Sequence, residues 1–156
     1  MEILNKQSIK NSVEIKLQAL SVNESFSRIA VSGFMAPLNP TMEEISDVKT
    51  AVSEAVTNSI IHAYGNEGGI ITMKLSMEGN EILIEVADEG VGMADVQQAM
   101  EPLYTTRPEL ERSGMGFSFM EAFMDELEVI SEPYVGTRVL MKKRIGVSKT
   151  LWNDEE

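Results

Sequence analysis

The sequence predicts an α+β two-layer sandwich: a mixed, mostly antiparallel sheet covered on one face by helices. Two observations carry this. Apolar residues recur with period two in some runs and with helical spacing in others, in the order strand, helix, helix, strand, strand, long polar segment, helix, strand, strand. The later strands also come in adjacent pairs across short turns, as antiparallel hairpins do, instead of alternating singly with helices as in a doubly wound parallel fold. The 156 residues suit one domain, 1–156, with a single core.

Residues 1–12 carry no pattern and are expected to form a loose leader. Val13, Ile15, Leu17 and Ala19 alternate with Glu14, Lys16 and Gln18, a strand. Asn23 is expected to cap a first helix with Phe26, Ile29, Ala30, Gly33 and Phe34 inward, ending before Pro37. A second helix opens at Thr41, with Glu44 three residues on to complete a capping box, and runs to about Tyr64. Val48, Val52, Ala55, Val56, Ser59 and Ile60 form its core stripe, and the glycine-rich turn 65–69 stops it. Residues 70–77 and 81–87 read as a hairpin about Glu78-Gly79-Asn80. Residues 94–112 hold a short helical piece and then polar sequence with Pro102 and Pro108, long enough for a lid. A helix follows to about Met124 with Phe117, Met120 and Phe123 apolar, then a hairpin of 127–131 and 137–143. Residues 145–156 are expected to be a loose tail.

Composition narrows the function classes. A net charge of −12 argues against a broad face for DNA or RNA phosphates, while leaving room for one nucleotide handled locally. No cysteine means no disulfide, thiolate metal site or cysteine nucleophile, which fits a reducing cytoplasm. The N-terminus has Glu2 and Lys6 and no apolar stretch of signal-peptide type, and no apolar run is long enough to cross a bilayer, so no membrane is expected.

Chemistry-bearing residues gather in four places. Glu54, Asn58 and His62 stand at i, i+4 and i+8 on the second helix, a carboxylate to handle a proton and a carboxamide oxygen to ligate a hard cation; a solvated helix face gives the same spacing. Asp88-x-Gly90-x-Gly92 ends a hydrophobic strand. A carboxylate there can accept from the exocyclic amine of adenine and repel the carbonyl of guanine, though an Asp-Gly turn without ligand fits equally. Gly114-Met115-Gly116 opens a helix whose amides can receive phosphates. Thr105, Thr106, Arg107 and Arg112 lie on the expected lid beside it, where arginines are otherwise simply solvated.

In this order, with Gly136-Thr137 behind them, these elements resemble the GHKL (Bergerat) ATPase superfamily of histidine kinases, gyrase-type topoisomerases, MutL and Hsp90, over residues 13–143. Ser53-Glu54-Ala55-Val56-Thr57-Asn58, Asp88-Glu89-Gly90-Val91-Gly92 and the run from Thr105 to Phe117 are most similar to the sporulation anti-sigma F family of serine kinases, which Asn23–Arg28 and Phe123–Glu126 also fit. The resemblance implies an ATP-binding homodimer with an ATP lid that holds a sporulation sigma factor inactive and phosphorylates a serine of an anti-anti-sigma factor. It implies Asn58 as ligand of Mg²⁺, Glu54 as base or orienter of the serine hydroxyl, and Asp88 as adenine reader, with Thr137 helping through a water. Gly90, Gly92, Gly114, Met115 and Gly116 would admit phosphate and ribose, with Thr105 and Arg112 on the γ-phosphate side. Glu24 and Arg28 would dock sigma factor, and Thr57 would face the substrate serine.

A non-catalytic module gated by ATP and ADP, a general-stress anti-sigma kinase and an ATP-hydrolysing clamp are the alternatives. Glu54 disfavours the first, and the clamp would need a transducer domain. A histidine kinase would need a phosphoacceptor on a separate helix, whereas His62 sits inside the nucleotide-binding one.

Overall fold

The computed structural model describes residues 10–93, 95–100 and 116–146. Its strands are β1 (Lys10–Gln18), β2 (Ile70–Glu78), β3 (Glu81–Asp88), β4 (Glu126–Glu132) and β5 (Gly136–Arg144). Its helices are α1 (Val22–Met35), α2 (Met42–Asn58), α3 (Val96–Ala99) and α4 (Gly116–Phe123). A 3₁₀ turn, Ala36–Leu38, follows α1, and a π turn, Ser59–Ala63, continues α2.

The five strands lie in the order β1-β2-β3-β5-β4, and every neighbouring pair is antiparallel. The expected mixed sheet is therefore corrected: β4 runs in the same direction as β3, but β5 inserts between them and no parallel pair forms among the described residues. Register stacks the inward side chains in rows. Ile15, Met73, Val86, Val139 and Val129 make one, and Val13, Leu75, Ile84, Met141 and Leu127 the next. A third row, Leu17, Ile71, Asp88, Thr137 and Ser131, turns polar halfway across, and there the core ends in a site. The opposite face carries Lys16, Lys74, Glu85, Arg138 and Lys142, with Arg138 paired to Glu85 at 3.2 Å.

α2 is the central helix, packed on α1, α4 and β3. Its expected stripe holds: Val48, Val52, Ala55, Val56, Ser59 and Ile60 are all buried. The Thr41–Glu44 capping box is present in both directions, at 3.1 and 2.9 Å, a device that contributes about 1 kcal/mol. The second oxygen of Glu44 accepts from the Gly146 amide at 2.8 Å, and Ile145 is buried in the core, so the chain is fastened through 146 instead of loosening at 145. At the other end the strand begins at Lys10, three residues inside the expected leader.

α1 departs from its expected phase. It buries Ser27, Val31 and Met35, while Phe26 and Ile29 are 47% and 67% exposed. The narrow α1–α2 seam takes a serine whose hydroxyl is already satisfied by the Glu24 carbonyl at 2.6 Å, so the bulkier apolar residues are left outside. The N-cap is Ser21, not Asn23; the Asn23 side chain donates back to the Gln18 carbonyl at 2.9 Å and ties helix to strand. In α4 the inward residues are Phe117 and Met120, followed by Met124, while Phe123 stacks on Phe119 at 5.9 Å.

Candidate functional site

The polar end of the third row is built around Asp88. Its Oδ1 accepts from the amides of Gly90 at 3.0 Å and Thr137 at 3.2 Å, and its Oδ2 from the Ser59 hydroxyl at 2.8 Å. Asp88, Thr137 and Ser59 are 6%, 5% and 3% exposed. Burial raises the Asp88 carboxyl above its ordinary value, and the three donors pull it partly back. Next to it, the Ser131 hydroxyl lies 2.7 Å from that of Thr137 and accepts from the Met93 amide at 2.8 Å.

The loop after Asp88 lies flush on the protein's own backbone, and this is what its glycines permit. A Cβ at Gly90 would stand 2.4 Å from the Ala63 carbonyl oxygen. At Gly92, where φ is +73°, it would stand 2.1 Å from that of Glu132. The Val91 amide donates to the Ala63 carbonyl at 3.1 Å, so the π turn that presents Ala63 also holds the loop. Tyr64, directly after that turn, adds a clasp: its hydroxyl donates to the Ile70 carbonyl at 2.7 Å and accepts from the Glu89 amide at 2.8 Å.

Glu54 and Asn58 lie in the last turns of α2, one turn apart as spacing requires. Glu54 reaches the start of α4, since a Cβ on Gly116 would be 3.4 Å from its Oε1. His62 falls within the π turn, so it does not continue the Glu54–Asn58 strip at α-helical spacing. Asp88, Gly90, Gly92 and Thr137 thus converge with the end of α2 through Ser59, and Gly116 with Glu54. Thr105, Arg112, Gly114 and Met115 lie outside the described residues.

Glu24, Arg28 and Thr57 form a second cluster on the α1 side of α2. Glu24 Oε2 accepts from the hydroxyls of Ser53 and of Thr57, the latter at 3.2 Å, and pairs with Arg28 at 3.5 Å. Arg28 also donates to Ser53 at 3.3 Å. The Thr57 hydroxyl is thus engaged by α1 and does not bond back along its own helix.

Ser59, Tyr64 and Ser131 are the contributors that sequence reasoning missed. Ser59 was legible only as a core-stripe position. The signal for Ser131 is a hydroxyl at an inward strand position after Leu127 and Val129, where alternation calls for an apolar residue.

Comparison with known proteins bears on the family and the fold. Residues 21–143 match the family model described as a histidine kinase-like ATPase domain. The anti-sigma F factor of Clostridium acetobutylicum is 55% identical over 139 residues, 89% of this chain and 97% of that protein. That of Caldanaerobacter subterraneus subsp. tengcongensis is 60% identical, covering 87% of this chain and 95% of its own. That of Halalkalibacterium halodurans is 49% identical, covering 93% and 100%. Among solved structures, the RsbU and RsbW domains of a Mycobacterium tuberculosis protein share the fold with a TM-score of 0.63 at 20% identity, over 86% of this chain and 32% of that one. On its sequence and its fold, the chain belongs to the anti-sigma F factor family of histidine kinase-like ATPase domains.

Proposed function

We propose that this chain is a protein-serine kinase and anti-sigma factor: it binds Mg-ATP, holds a sporulation sigma factor inactive, and phosphorylates a serine of an anti-anti-sigma factor. The observation that carries the reading is the grouping on one element. Glu54 and Asn58 stand a turn apart on α2, and the next residue, Ser59, is bonded to Asp88.

The donors suit the nucleotide. A carboxylate offers roughly four lone-pair directions; Gly90, Thr137 and Ser59 use three at Asp88, which leaves Oδ2 able to accept one more N–H. The exocyclic amine of adenine supplies it, and guanine would set a carbonyl there instead. Thr137 assists beside Asp88. Among the described residues no three His, Cys, Asp or Glu converge as a metal cage; Mg²⁺ held largely by phosphates needs only a ligand such as the Asn58 oxygen. When bound, the metal neutralises phosphate charge. Glu54 accepts the proton of the incoming serine hydroxyl as its oxygen attacks the γ-phosphorus in line, the bond to the β–γ bridging oxygen breaks and ADP leaves. The amides of Gly114, Met115 and Gly116 receive phosphates, and Thr105 and Arg112 neutralise the γ-phosphate. Gly90 and Gly92 keep the loop backbone low beside the ribose.

Glu24, Arg28 and Thr57 meet the protein partners. A homodimer is supported by the exposed apolar residues Leu20, Val22, Phe26 and Ile29 on one side of the fold. The net charge of −12 supports protein partners over direct nucleic-acid contact. No described helix is long and apolar enough to cross a membrane; a cytoplasmic site of action, alongside the sigma factor, is part of the proposal.

The test is transfer of labelled γ-phosphate from Mg-ATP to the anti-anti-sigma protein by the wild type and by Glu54→Ala, with ATP binding measured in parallel. We expect a loss of about 100-fold or more in transfer with ATP affinity nearly unchanged. Tight binding with no transfer by either protein would leave a nucleotide-gated sequestering module.

A further inference from the structure

The Ser131 hydroxyl is the meeting point of three segments. It accepts from the Met93 amide at 2.8 Å, where the glycine loop ends. It lies 2.7 Å from the Thr137 hydroxyl, and it is 3.2 Å from the Gly136 carbonyl. A serine hydroxyl has one proton and about two lone pairs. The Met93 amide takes one lone pair, which leaves two ways to connect the rest. In the first, Thr137 donates to Ser131 and Ser131 donates to Gly136, so the Thr137 proton is consumed inside the protein. In the second, Ser131 donates to Thr137, and the Thr137 proton is free to turn toward whatever lies beside Asp88.

We propose that Ser131 is a positioning residue for the purine end of the nucleotide, setting the direction of the Thr137 hydroxyl and linking it to the Met93 amide. The proposal rests on the nucleotide reading above. A purine or its bridging water that takes a proton from Thr137 selects the second arrangement. Ser131 then leaves the Gly136 carbonyl and swings toward Thr137. In the first arrangement Ser131 accepts from both Met93 and Thr137, and in the second from Met93 alone, so the Met93 bond tightens and the state of the base pocket is carried to the end of the glycine loop. The carrier is short: Asp88, Thr137 and Ser131 are cross-strand neighbours in one row, and Gly92 is held against Glu132 immediately beside it. Hydroxyl pairs of this kind act as a unit, so their removal is not additive.

A double-mutant cycle tests this with ADP and GDP binding by calorimetry. Ser131→Ala is expected to weaken ADP about fivefold and to narrow the preference for ADP over GDP. In a Thr137→Val background the same change is expected to cost less than about twofold. Ser131→Thr, which keeps the hydroxyl, is expected to restore both the affinity and the preference, which a merely structural role would not require. Hydrogen exchange supplies a readout that does not depend on the folding of Ser131→Ala: the Met93 amide gains protection on ADP binding in the wild type and not in Thr137→Val. Equal losses from Ser131→Ala in the two backgrounds, or Met93 protection unaltered by Thr137→Val, overturn the relay while leaving the nucleotide reading in place. A wild type that binds no nucleotide overturns both.

Discussion

The cluster around Asp88 and the cluster around Glu24 each hang hydroxyls of α2, or of its continuation, on a single carboxylate, but they complete it differently. Asp88 takes Ser59 and then two backbone amides at the end of the core, the bonds from Ser59 and Thr137 buried and that from Gly90 partly so. Glu24 takes Ser53 and Thr57 and then a guanidinium, with its own side chain 18% and that of Arg28 36% exposed. A backbone amide fixed by strand pairing or a tight turn holds its place whether or not a ligand is present, which is what discrimination between bases needs. An arginine on a long side chain can leave one carboxylate for another, which is what a protein partner needs. On the proposed function, the same acid group would serve a preset pocket in one place and a tradable surface in the other.

The largest effect that separates the two is Asp88→Ala. It leaves one hydroxyl and two amides without their acceptor, in a site water reaches poorly, and should cost about 3 kcal/mol of stability by denaturant titration, with loss of nucleotide binding. A loss below about 1 kcal/mol would mean that the Asp88 cluster is as forgiving as an exposed one.

Asp88→Asn sharpens the same contrast through pH. An asparagine keeps an oxygen for the Gly90 and Thr137 amides, and Ser59 can turn to accept from its amide. Burial raises the Asp88 carboxyl in the folded protein, so the folded state takes up a proton more readily than the unfolded one. The wild type is therefore favoured, relative to the variant, at pH below the ordinary carboxylate range. It loses that advantage as pH rises through the raised value and is level above it. Melting temperatures of the two proteins across about pH 4 to about pH 8 check the sign. A wild type that gains on the variant as pH rises would show that the hydrogen bonds outweigh burial.

What was legible in the sequence follows the same division. Element order, the capping box at Thr41 and Glu44, and the α2 stripe come from local periodicity and local hydrogen bonds, so they were readable. Asp88 was readable because a carboxylate and two glycines after an apolar strand form a local pattern. Ser131 and Ser59 were not, because their roles arise from cross-strand register and a helix–strand contact, which no run of neighbouring residues encodes. The α1 phase failed for a related reason. A period of 3.6 marks which residues share a face, but not which face the neighbouring helix selects, and a self-satisfied Ser27 fits the seam better than Phe26.

The smallest effects belong to the Glu24 cluster, and they test whether its members are tradable. Glu24→Ala removes the acceptor of two hydroxyls, but Ser53 keeps Arg28 and the side of Glu24 is open to water, so about 1 kcal/mol is expected. Arg28→Ala breaks a helical i, i+4 pair and two long hydrogen bonds, to Ser53 and to Ser25, for which about 0.5 kcal/mol is expected, weakened further by salt. The binding side should run the other way. A guanidinium that costs little to release is free to meet a partner's carboxylate, so Arg28→Ala should lower sigma-factor affinity by about tenfold while leaving ADP affinity untouched. Should Arg28→Ala cost the fold as much as Asp88→Ala and leave sigma binding unchanged, then the guanidinium is a fixed strut, and the two carboxylates are completed in the same way after all.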